Sequence, residues 1–402
     1  MSVVYAHIVA EDSCCGCGAC SNICPHKCIH MQENQEGFLM PYVDEASCIQ
    51  CGACKMVCPV LCRNVKEKKG ESLFYGCKNI DDSERRRSSS GAIFPLLAEL
   101  IIRENGVVYG VSFVDGNRAV SHISITESAS LCLLRGSKYL QSDTKESFLE
   151  IRQQLRDGIT VLFSGTPCQI AALKCFLGNT NQEHLYCVDL VCHGVPSGKA
   201  WRAYLSQLER EAESTAVVVH FRDKLSSWRN SDFVVKFKNG KELRLPNNQN
   251  PFMRGFIKNL YVRESCSQCK FKSFASGSDM TIGDFWGATE IEGGHNDDIG
   301  ISVVALHTEK GRALFREIRE SLKDIIQVDE KSGYLFNESV KDSAKFHENR
   351  TLFFEMLGKE NFDSLVFRLT PVEMAPKYRL SNYMYSMKRI LRLVLLKFRL
   401  IH

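Results

Sequence analysis

Two cysteine runs with the same spacing constrain this chain of 402 residues more than any other feature. The runs are Cys14-x2-Cys17-x2-Cys20-x3-Cys24-Pro25 and Cys48-x2-Cys51-x2-Cys54-x3-Cys58-Pro59. The second run repeats the first 34 residues later, and Cys28 maps onto Cys62 at the same offset. Such short gaps require the backbone to curl around whatever the sulfur atoms hold. Gly16, Gly18 and Gly52 can adopt the positive φ of that curl without steric cost.

This duplicated run is typical of domains that hold two 4Fe-4S clusters, in which the fourth cysteine of each run crosses to the other cluster. The rule gives one ligand set of Cys14, Cys17, Cys20 and Cys58, and a second of Cys48, Cys51, Cys54 and Cys24. A structural zinc site has no use for a crossed fourth cysteine followed by proline. The remaining cysteines of the region, Cys15, Cys28 and Cys62, are predicted to be inert buried side chains.

The composition indicates a protein of the reducing cytoplasm. Nineteen cysteines without an N-terminal signal pattern favour metal thiolates over disulfides. The sequence has no run of 18 apolar residues, so we predict that nothing spans a membrane. The net charge is +4, and residues 377–402 alone contribute seven basic and no acidic side chains. Because the excess lies in this tail, we predict no nucleic-acid partner.

The residues after the cysteine runs alternate between strand and helix patterns. Residues 81–91 are predicted to be a polar linker, and residues 92–104 a helix with Ser90 as its N-cap. Strands are predicted at residues 38–43, 107–114, 160–163, 185–191, 279–285 and 301–307, and a hairpin over 232–245 with its turn at Asn239-Gly240. The loops at 164–168 and 192–194 follow two strands at their carboxyl ends, where open α/β sheets bind ligands.

The last residues predict a basic amphipathic helix over 387–401. Its apolar side chains are Ile390, Leu391, Val394, Leu395 and Phe398, and its basic ones are Lys388, Arg389, Arg392 and Arg399. Such a helix either lies on the anionic inner face of a membrane or packs on protein. The pattern predicts both equally.

Four further cysteines lie in contexts that suggest a third metal site. They are Cys168, Cys192, Cys266 and Cys269. Two of them end predicted strands and two form a C-x2-C pair, so they can close a tetrahedral thiolate site. That ligand set accepts either iron–sulfur or zinc. We predict that Cys132, Cys175 and Cys187 belong to the core, leave Cys77 unassigned, and predict a hydrogen-bonded structural role for His193.

Five stretches and the C-x2-C pair occur in an order that resembles a known family. The stretches are Ser-Ser-Ser-Gly (88–91), Arg-Gly-Ser-Lys-Tyr (135–139), Ser-Gly-Thr-Pro-Cys-Gln (164–169), Val-Cys-His-Gly-Val-Pro (191–196) and Asp-Met-Thr-Ile-Gly-Asp-Phe-Trp-Gly (279–287). Over about residues 75–345 the chain resembles the β-subunit family of deazaflavin (factor 420)-reducing hydrogenases and dehydrogenases. Chlorophyll-derivative reductases belong to the same group.

The resemblance implies a bound flavin, FAD or alternatively FMN, beside a third 4Fe-4S cluster. It favours iron–sulfur over zinc for the four further cysteines. The flavin contacts that it implies are Ser90 and Gly91 at the pyrophosphate, Gly136, Ser137, Lys138 and Tyr139 in the pocket, and Gly165, Thr166, Asp284 and Trp286 in the same cleft. No catalytic residue is predicted, but Lys138 is a hypothetical stabiliser of anionic reduced flavin.

The predicted fold class is α/β (α+β), with four regions. They are residues 1–75 (a two-cluster ferredoxin domain), 76–155 and 156–345 (the N-terminal-like and C-terminal-like regions of the β-subunit family) and 346–402 (a helical basic tail). The predicted function is a flavin- and iron–sulfur-dependent oxidoreductase that acts on a deazaflavin or another small two-electron substrate. A ferredoxin or a hydrogenase or dehydrogenase subunit is the predicted redox partner. The alternative is a non-catalytic electron-transfer subunit of a hydrogenase or formate dehydrogenase complex.

Overall fold

The computed structural model describes residues 8–62, 71–292, 294 and 296–371. The strands of these residues are β1 (Ile29–Glu33), β2 (Leu39–Val43), β3 (Leu73–Asn79), β4 (Val107–Val114), β5 (Ala119–Ile125), β6 (Ser142–Asp143), β7 (Val161–Gly165), β8 (Leu185–Leu190), β9 (Ala216–Asp223), β10 (Asp232–Phe237), β11 (Glu242–Pro246), β12 (Met280–Asp284), β13 (Ser302–Leu306) and β14 (Leu322–Val328). The helices are α1 (Ala19–Ile23), α2 (Ala53–Met56), α3 (Asp82–Arg87), α4 (Ile93–Arg103), α5 (Ser147–Arg156), α6 (Pro167–Leu177), α7 (Gly198–Ala212), α8 (Pro251–Ile257), α9 (Glu309–Glu317), α10 (Glu330–Gly333), α11 (Arg350–Met356) and α12 (Phe362–Leu369).

A small N-terminal module contains both cysteine runs. Helices α1 and α2 each carry one cysteine of a run, and β1 pairs with β2 in an antiparallel ladder between them. Gly16, Gly18 and Gly52 have φ values of 63°, 77° and 76°. The curl predicted from the spacing is therefore present, because only glycine adopts these angles without strain.

Nine strands form one mixed sheet in the order β14-β3-β13-β12-β8-β7-β4-β5-β6. Strands β12, β8, β7 and β4 run parallel to one another in its centre, and β13, β3 and β14 continue it antiparallel on one side. The carboxyl ends of the central strands therefore open on a single edge of the sheet. The predicted α/β class is confirmed, and the predicted strands at 107–114, 160–163, 185–191, 279–285 and 301–307 correspond to β4, β7, β8, β12 and β13.

Strand β3 belongs to the same sheet as strands that the predicted domain boundaries assign to another region. It pairs with β13 through Cys77 and Ser302 and with β14 on its other side. The boundary predicted at residue 75 falls inside this strand. Strand β4 likewise pairs with β7, so residues 76–155 and 156–345 share one sheet.

The predicted polar linker at 81–91 is wrong over its first half. Residues there form α3, and the Asp81 side chain accepts hydrogen bonds from the amides of Ser83 and Glu84. Arg85 of this helix is completely buried, and its guanidinium pairs with Asp297 at 2.6 Å. The sequence alone suggests a solvated segment here, because the residue that pairs with Arg85 lies more than 200 positions away.

The predicted helix cap at Ser90 is also wrong. Helix α4 begins at Ile93 with Ala92 as its N-cap, and Ala92 has a φ of 61° and makes no side-chain capping bond. The Ser90 hydroxyl instead donates to the carbonyl of Ile301 at 2.7 Å. Ser90 therefore links the segment before α4 to the large sheet by a hydrogen bond, and it does not cap the helix.

A second core forms between a three-stranded sheet, β11-β10-β9, and helices α7, α8, α11 and α12. The hairpin turns at Asn239-Gly240 as predicted, with Gly240 at a φ of 85°. Phe353 and Phe362 of the last two helices are buried in this core. The first part of the predicted tail is therefore core structure, and the predicted amphipathic helix at 387–401 lies outside the described residues. In the described ranges, no helix has both the length and the apolar character that crossing a bilayer requires.

Candidate functional site

The first predicted ligand set lines one cavity inside the N-terminal module. Cys14, Cys17, Cys20 and the crossed Cys58 all face it. Burial raises the pKa of Cys20, and the neighbouring Cys14 and Cys58 raise it further. Four thiols packed this closely are stable as thiolates only beside compensating positive charge, which the iron of a cluster supplies. The cavity therefore fits a cluster held by these four residues.

The second predicted ligand set lies nearer to the surface. Cys51 is exposed, and Cys24, Cys48 and Cys54 are partly exposed. Cys28 adds a thiol that the spacing rule did not assign, because its Sγ lies 3.3 Å from the Sγ of Cys24. This set is the more exposed of the two in the N-terminal module.

The four further cysteines line a second cavity, at the carboxyl edge of the large sheet. They are Cys168, Cys192, Cys266 and Cys269. Cys168 lies in the first turn of α6 directly after β7, and Cys192 follows the adjacent parallel strand β8. Cys266 lies in the short 3-10 segment Glu264–Gln268, and Cys269 follows it. The sheet thus brings together two strand ends and a C-x2-C pair, as the sequence predicted.

Several polar contacts surround these sulfur atoms. The Thr166 hydroxyl lies 3.2 Å from Cys168 Sγ, and the N-terminus of α6 favours a thiolate at that position. Lys272 donates to the carbonyl of Cys192 at 2.6 Å, which brings an ammonium group to the cavity wall. Among the described residues, no three His, Cys, Asp or Glu side chains meet at the spacing of a single metal ion. The thiols surround a shared cavity instead.

Arg263 joins the N-terminal module to this cavity. Its Nε donates to the carbonyl of Cys14 at 2.8 Å, its Nη1 to Gln141 Oε1 at 2.8 Å, and its Nη2 to the carbonyl of Leu39 at 2.9 Å. The side chain is 2% exposed, and these acceptors are all neutral. A buried cation beside neutral acceptors is costly unless anions lie nearby. Metal-bound thiolates on either side of Arg263 would meet that requirement.

A larger cleft of about 550 Å³ lies along the same edge of the sheet. The predicted flavin contacts that line it are Ser90, Gly136, Ser137, Lys138, Tyr139, Gly165, Thr166, Asp284 and Trp286. Gly91 differs from them, because it is buried and its amide already donates to Ser302 Oγ at 2.9 Å. A phosphate would have to displace that bond, so the arrangement does not favour the contact predicted for Gly91.

The cleft and the second cavity share a wall. Thr166, Cys192, His193, Gly194 and Val195 line both of them. His193 is hydrogen-bonded on both ring nitrogens, with Nε2 at 2.7 Å from Asn259 Oδ1 and Nδ1 at 3.4 Å from Ser339 Oγ. These two hydrogen bonds agree with the structural role predicted for His193. A group in the cleft and a group held by the four thiols would therefore be direct neighbours.

Arg222 is a cleft residue that the sequence analysis missed. Its side chain is 7% exposed, and its Nη1 donates to Asp284 Oδ2 at 2.6 Å. Its Nη2 is buried without a hydrogen-bond partner. Asp284 also accepts from Trp228 Nε1 at 2.9 Å, and Trp228 stacks on Trp286 with 4.7 Å between ring centroids. The free guanidinium nitrogen fits a polar or anionic ligand in the cleft.

The other unassigned cysteines divide between core and surface. Cys175 and Cys187 are buried as predicted, and Cys77 is buried too. Cys132 is exposed, which makes its predicted core position wrong. It lies in the 3-10 segment Ser128–Leu133, where Leu131 alone points inward.

Two protein-family models match parts of this chain. Residues 159–331 match the family described as the C-terminal part of the beta subunit of coenzyme F420 hydrogenase/dehydrogenase. We refer to residues 159–331 as the beta-subunit domain after this match. Residues 13–62 match the 4Fe-4S dicluster domain, which contains every cysteine of the two runs. The beta-subunit domain contains Cys168, Cys192, Cys266 and Cys269, whereas Ser90 and residues 136–139 lie outside both matches.

A chain in a solved structure is also similar. It belongs to the F420-reducing [NiFe] hydrogenase complex from Methanosarcina barkeri, studied by xenon derivatization. The similarity covers 73% of this chain and 94% of that chain, with 17% identity and a TM-score of 0.48. Among curated proteins, no sequence matches this one. The family matches confirm the predicted resemblance: residues 159–331 are similar to the beta subunit of coenzyme F420 hydrogenase/dehydrogenase, and residues 13–62 to a 4Fe-4S dicluster domain.

Proposed function

We propose that this chain is an iron–sulfur flavoprotein oxidoreductase with three 4Fe-4S clusters and one flavin. It takes electrons from a ferredoxin-type donor, or returns them to one, and acts on a deazaflavin or another organic two-electron substrate. The observation that carries the proposal is the wall shared by the cavity of four cysteines and the 550 Å³ cleft. Redox centres placed on the two sides of that wall would exchange electrons directly.

The donor set supports the clusters. Each of the three sites uses cysteine sulfur alone, which is the ligand that iron–sulfur clusters require. The second ligand set is the exposed one, the first is buried between it and the beta-subunit domain, and the four further cysteines lie beside the cleft. Clusters in this order would give electrons a path from the surface to the cleft. The exposed apolar side chains Ile49, Met56 and Leu61 flank the outer site and favour a protein partner there.

The cleft residues support a flavin nucleotide. When bound, a flavin exchanges electrons singly with clusters and in pairs with organic substrates. Ser90 and the residues 136–138 provide hydroxyl, amide and ammonium groups at one part of the wall, and Arg222 provides a free guanidinium nitrogen. Asp284 holds Arg222 in place through a 2.6 Å hydrogen bond. These groups would bind the polar parts of the nucleotide, and Trp286, Tyr139 and Val195 add apolar surface to the same cleft.

Metal and flavin analysis of the anaerobically purified chain tests this proposal. We expect about twelve iron atoms, as many sulfide ions and one flavin per chain, since each cluster is a 4Fe-4S cubane. Turnover of an added deazaflavin by the isolated chain would support an enzyme over an electron-transfer subunit. About eight iron atoms with one zinc ion would leave the dicluster domain intact and contradict the third cluster. Absence of flavin from the purified and reconstituted protein would contradict the proposed role of the cleft.

Replacing Lys138 with methionine should weaken flavin binding about tenfold, which corresponds to about 1.4 kcal/mol. Lys138 lines the cleft and donates to the carbonyl of Arg135 at 2.8 Å. Burial lowers its pKa to about 8, so its ammonium form attracts an anionic ligand below that pH and is lost as the pH rises through it. We therefore expect the wild-type dissociation constant to rise above pH 8 and that of the variant to stay level. Flavin fluorescence titrations at several pH values measure both.

The control for this prediction is Lys236→Met, because Lys236 is exposed on β10 and does not line the cleft. It should bind flavin as the wild type does across the pH series. Equal affinity and equal pH dependence in Lys138→Met and wild type would show that Lys138 does not contact the nucleotide.

A further inference from the structure

Two buried polar atoms of the cleft residues lack a hydrogen-bond partner. They are Nη2 of Arg222 and Oδ1 of Asn247, and both residues line the cleft. Neither atom finds a partner among the described residues, so the two atoms are not bonded to each other. Buried side-chain polar atoms are paired in the great majority of folded proteins. A ligand in the cleft would supply the acceptor for Arg222 and the donor for Asn247.

The two residues are neighbours at one end of the three-stranded sheet. Asn247 Nδ2 donates to the carbonyl of Phe221, which directly precedes Arg222, at 3.0 Å. Strand β10 pairs with β9 on one side and with β11 on the other through Asp232 at this end. The bond to Phe221 also fixes the Asn247 amide, because only its nitrogen can donate to a carbonyl. The unpartnered atom of Asn247 is therefore an acceptor, beside the donor of Arg222.

The Arg222 guanidinium is held in a fixed position. Its side chain is 7% exposed, and its Nη1 donates to Asp284 Oδ2 at 2.6 Å. Its Cζ lies 5.4 Å from the centroid of the Trp286 ring. Asp284 is fixed as well, because its other oxygen accepts from Trp228 Nε1 at 2.9 Å. Nη2 is thus a preorganised donor that a ligand can use without moving the side chain.

The surroundings of Arg222 carry more positive than negative charge. Lys224 is buried nearby, and its Nζ donates to two neutral carbonyls, those of Ser90 at 2.9 Å and Ile299 at 2.7 Å. Burial lowers the pKa of Lys224 to about 7, and the neighbouring Arg222 contributes to this shift. Asp284 is the carboxylate that pairs with Arg222. An acceptor atom that carries negative charge is therefore favoured next to Arg222.

This part of the cleft lies close to the wall shared with the cavity of four cysteines. Asp284, the partner of Arg222, ends β12, and Ile282 of that strand pairs with Leu190 of β8. Leu190 comes two residues before Cys192 and lines both the cavity and the cleft. A redox-active ring has to lie near this wall to exchange electrons with a cluster there. The position therefore suits the ring of a flavin better than its adenine.

We propose that Arg222 and Asn247 bind the imide edge of a pyrimidinedione ring; the proposal rests on the proposed function. This edge has one N–H group between two carbonyl groups. Asn247 Oδ1 accepts the hydrogen bond of the imide N–H, and Arg222 Nη2 donates to the adjacent carbonyl oxygen. Flavins and deazaflavins share this ring, so the resident cofactor and the substrate are two sources of the same chemistry.

The redox chemistry of the ring explains why a cation is useful at this carbonyl. Two electrons and one proton convert a neutral oxidised flavin into an anion, whose charge lies on this carbonyl and the ring nitrogen beside it. A fixed guanidinium there stabilises the reduced form more than the oxidised form and raises the reduction potential. Arg222 would therefore tune the ring, and Asn247 would orient it.

Methylation of the imide nitrogen tests the contact with Asn247. Flavin-free wild type and Asn247→Leu, with their clusters intact, are titrated with FAD and with N3-methyl-FAD. The FAD-loaded proteins are then titrated with 5-deazariboflavin and its N3-methyl derivative. Leucine keeps the branched shape of asparagine and cannot accept a hydrogen bond. Asn181→Leu is the control, because Asn181 is exposed and does not line the cleft.

We expect methylation to weaken binding to the wild type about tenfold in one of the two titrations, the loss of one buried hydrogen bond. Asn247→Leu should bind the parent ring about tenfold more weakly and show no further loss on methylation, because its acceptor is already absent. Asn181→Leu should behave as the wild type does. The titration that shows the penalty identifies the flavin or the deazaflavin as the occupant.

The midpoint potential of that occupant tests the contact with Arg222. In Arg222→Gln the side-chain amide can still donate to Asp284, but the charge is gone. We expect the reduced ring to lose about tenfold more affinity than the oxidised ring, which lowers the potential by about 30 mV for a two-electron couple. Arg222→Lys should recover most of the shift. Arg118→Gln is the control, since Arg118 pairs with Glu209 and does not line the cleft.

Three results would overturn the proposal while the proposed function stands. One is equal binding of methylated and parent rings by the wild type in both titrations. Another is a methylation penalty that persists in Asn247→Leu, which would make it steric. The third is weaker flavin binding at an unchanged potential in folded Arg222→Gln, which would place Arg222 at the phosphates or the adenine. A wild-type protein that binds no flavin would overturn the proposed function, and this proposal with it.

Discussion

Replacing Cys192 with alanine should remove about four of about twelve iron atoms per chain and leave the clusters of the N-terminal module in place. Cys192 follows β8 and lines both the cavity of four cysteines and the cleft. Because its sulfur lies on the shared wall, its loss interrupts the path to the flavin. Flavin reduction by a reduced ferredoxin should therefore fall at least a hundredfold, while flavin binding persists. Iron analysis and stopped-flow absorbance measure the two effects.

Cys132→Ala is the matched control for this variant. Cys132 is exposed and lies outside the three cysteine sites, so its replacement should change neither the iron content nor the rate. Full iron content and an unchanged rate in Cys192→Ala would contradict a third cluster at this position.

Replacing Arg263 with methionine should destabilise the contact between the N-terminal module and the beta-subunit domain by about 3 kcal/mol. The change leaves the buried carbonyls of Cys14 and Leu39 and the amide oxygen of Gln141 without their donor. It also removes a cation that would face the metal-bound thiolates of the proposed clusters. We expect a lower midpoint of thermal unfolding and faster proteolysis of the N-terminal module. Differential scanning calorimetry and limited proteolysis of the anaerobic holoprotein measure these changes.

Arg368→Met is the control for this prediction. Arg368 also pairs with a neighbouring group, Glu360, but its side chain is 49% exposed. An exposed ion pair contributes at most about 1 kcal/mol, so the unfolding midpoint should hardly change. If Arg263→Met were as stable as Arg368→Met, the buried contact would not hold the module in place.

The cysteine sites were predictable because their ligands follow short, regular spacings. The ligands of one run lie within a few residues of each other, and Gly16, Gly18 and Gly52 have the left-handed angles that such a loop needs. The third set required more, since Cys168 and Cys192 meet only because β7 and β8 are parallel neighbours. The strand pattern and the position after each strand were sufficient to predict that meeting.

Partners distant in sequence account for the errors between residues 73 and 91. Arg85 lies in a charged stretch, and nothing near it in the sequence indicates that Asp297 buries it in an ion pair. Ser90 has a side chain suited to capping, but the carbonyl of Ile301 is its acceptor. Strand β3 was missed because both of its neighbours, β13 and β14, come more than 200 residues later.

The cleft was predicted in part. Residues in the stretches that resemble the β-subunit family line it, whereas Arg222 lies on a strand whose alternation gives no sign of a functional residue. Asn247 was missed because it directly follows a strand in a polar stretch, where an asparagine is expected for local reasons. Only the folded chain shows that both residues line the cleft.

The central claim is that three iron clusters lead to one flavin. Anomalous diffraction at the iron edge, from crystals grown without oxygen, tests it most directly. The account predicts three iron peaks, the third between Cys168, Cys192, Cys266 and Cys269, with isoalloxazine density across the wall that Cys192 lines. Iron peaks confined to the N-terminal module, with zinc or no metal among those four cysteines, would contradict it.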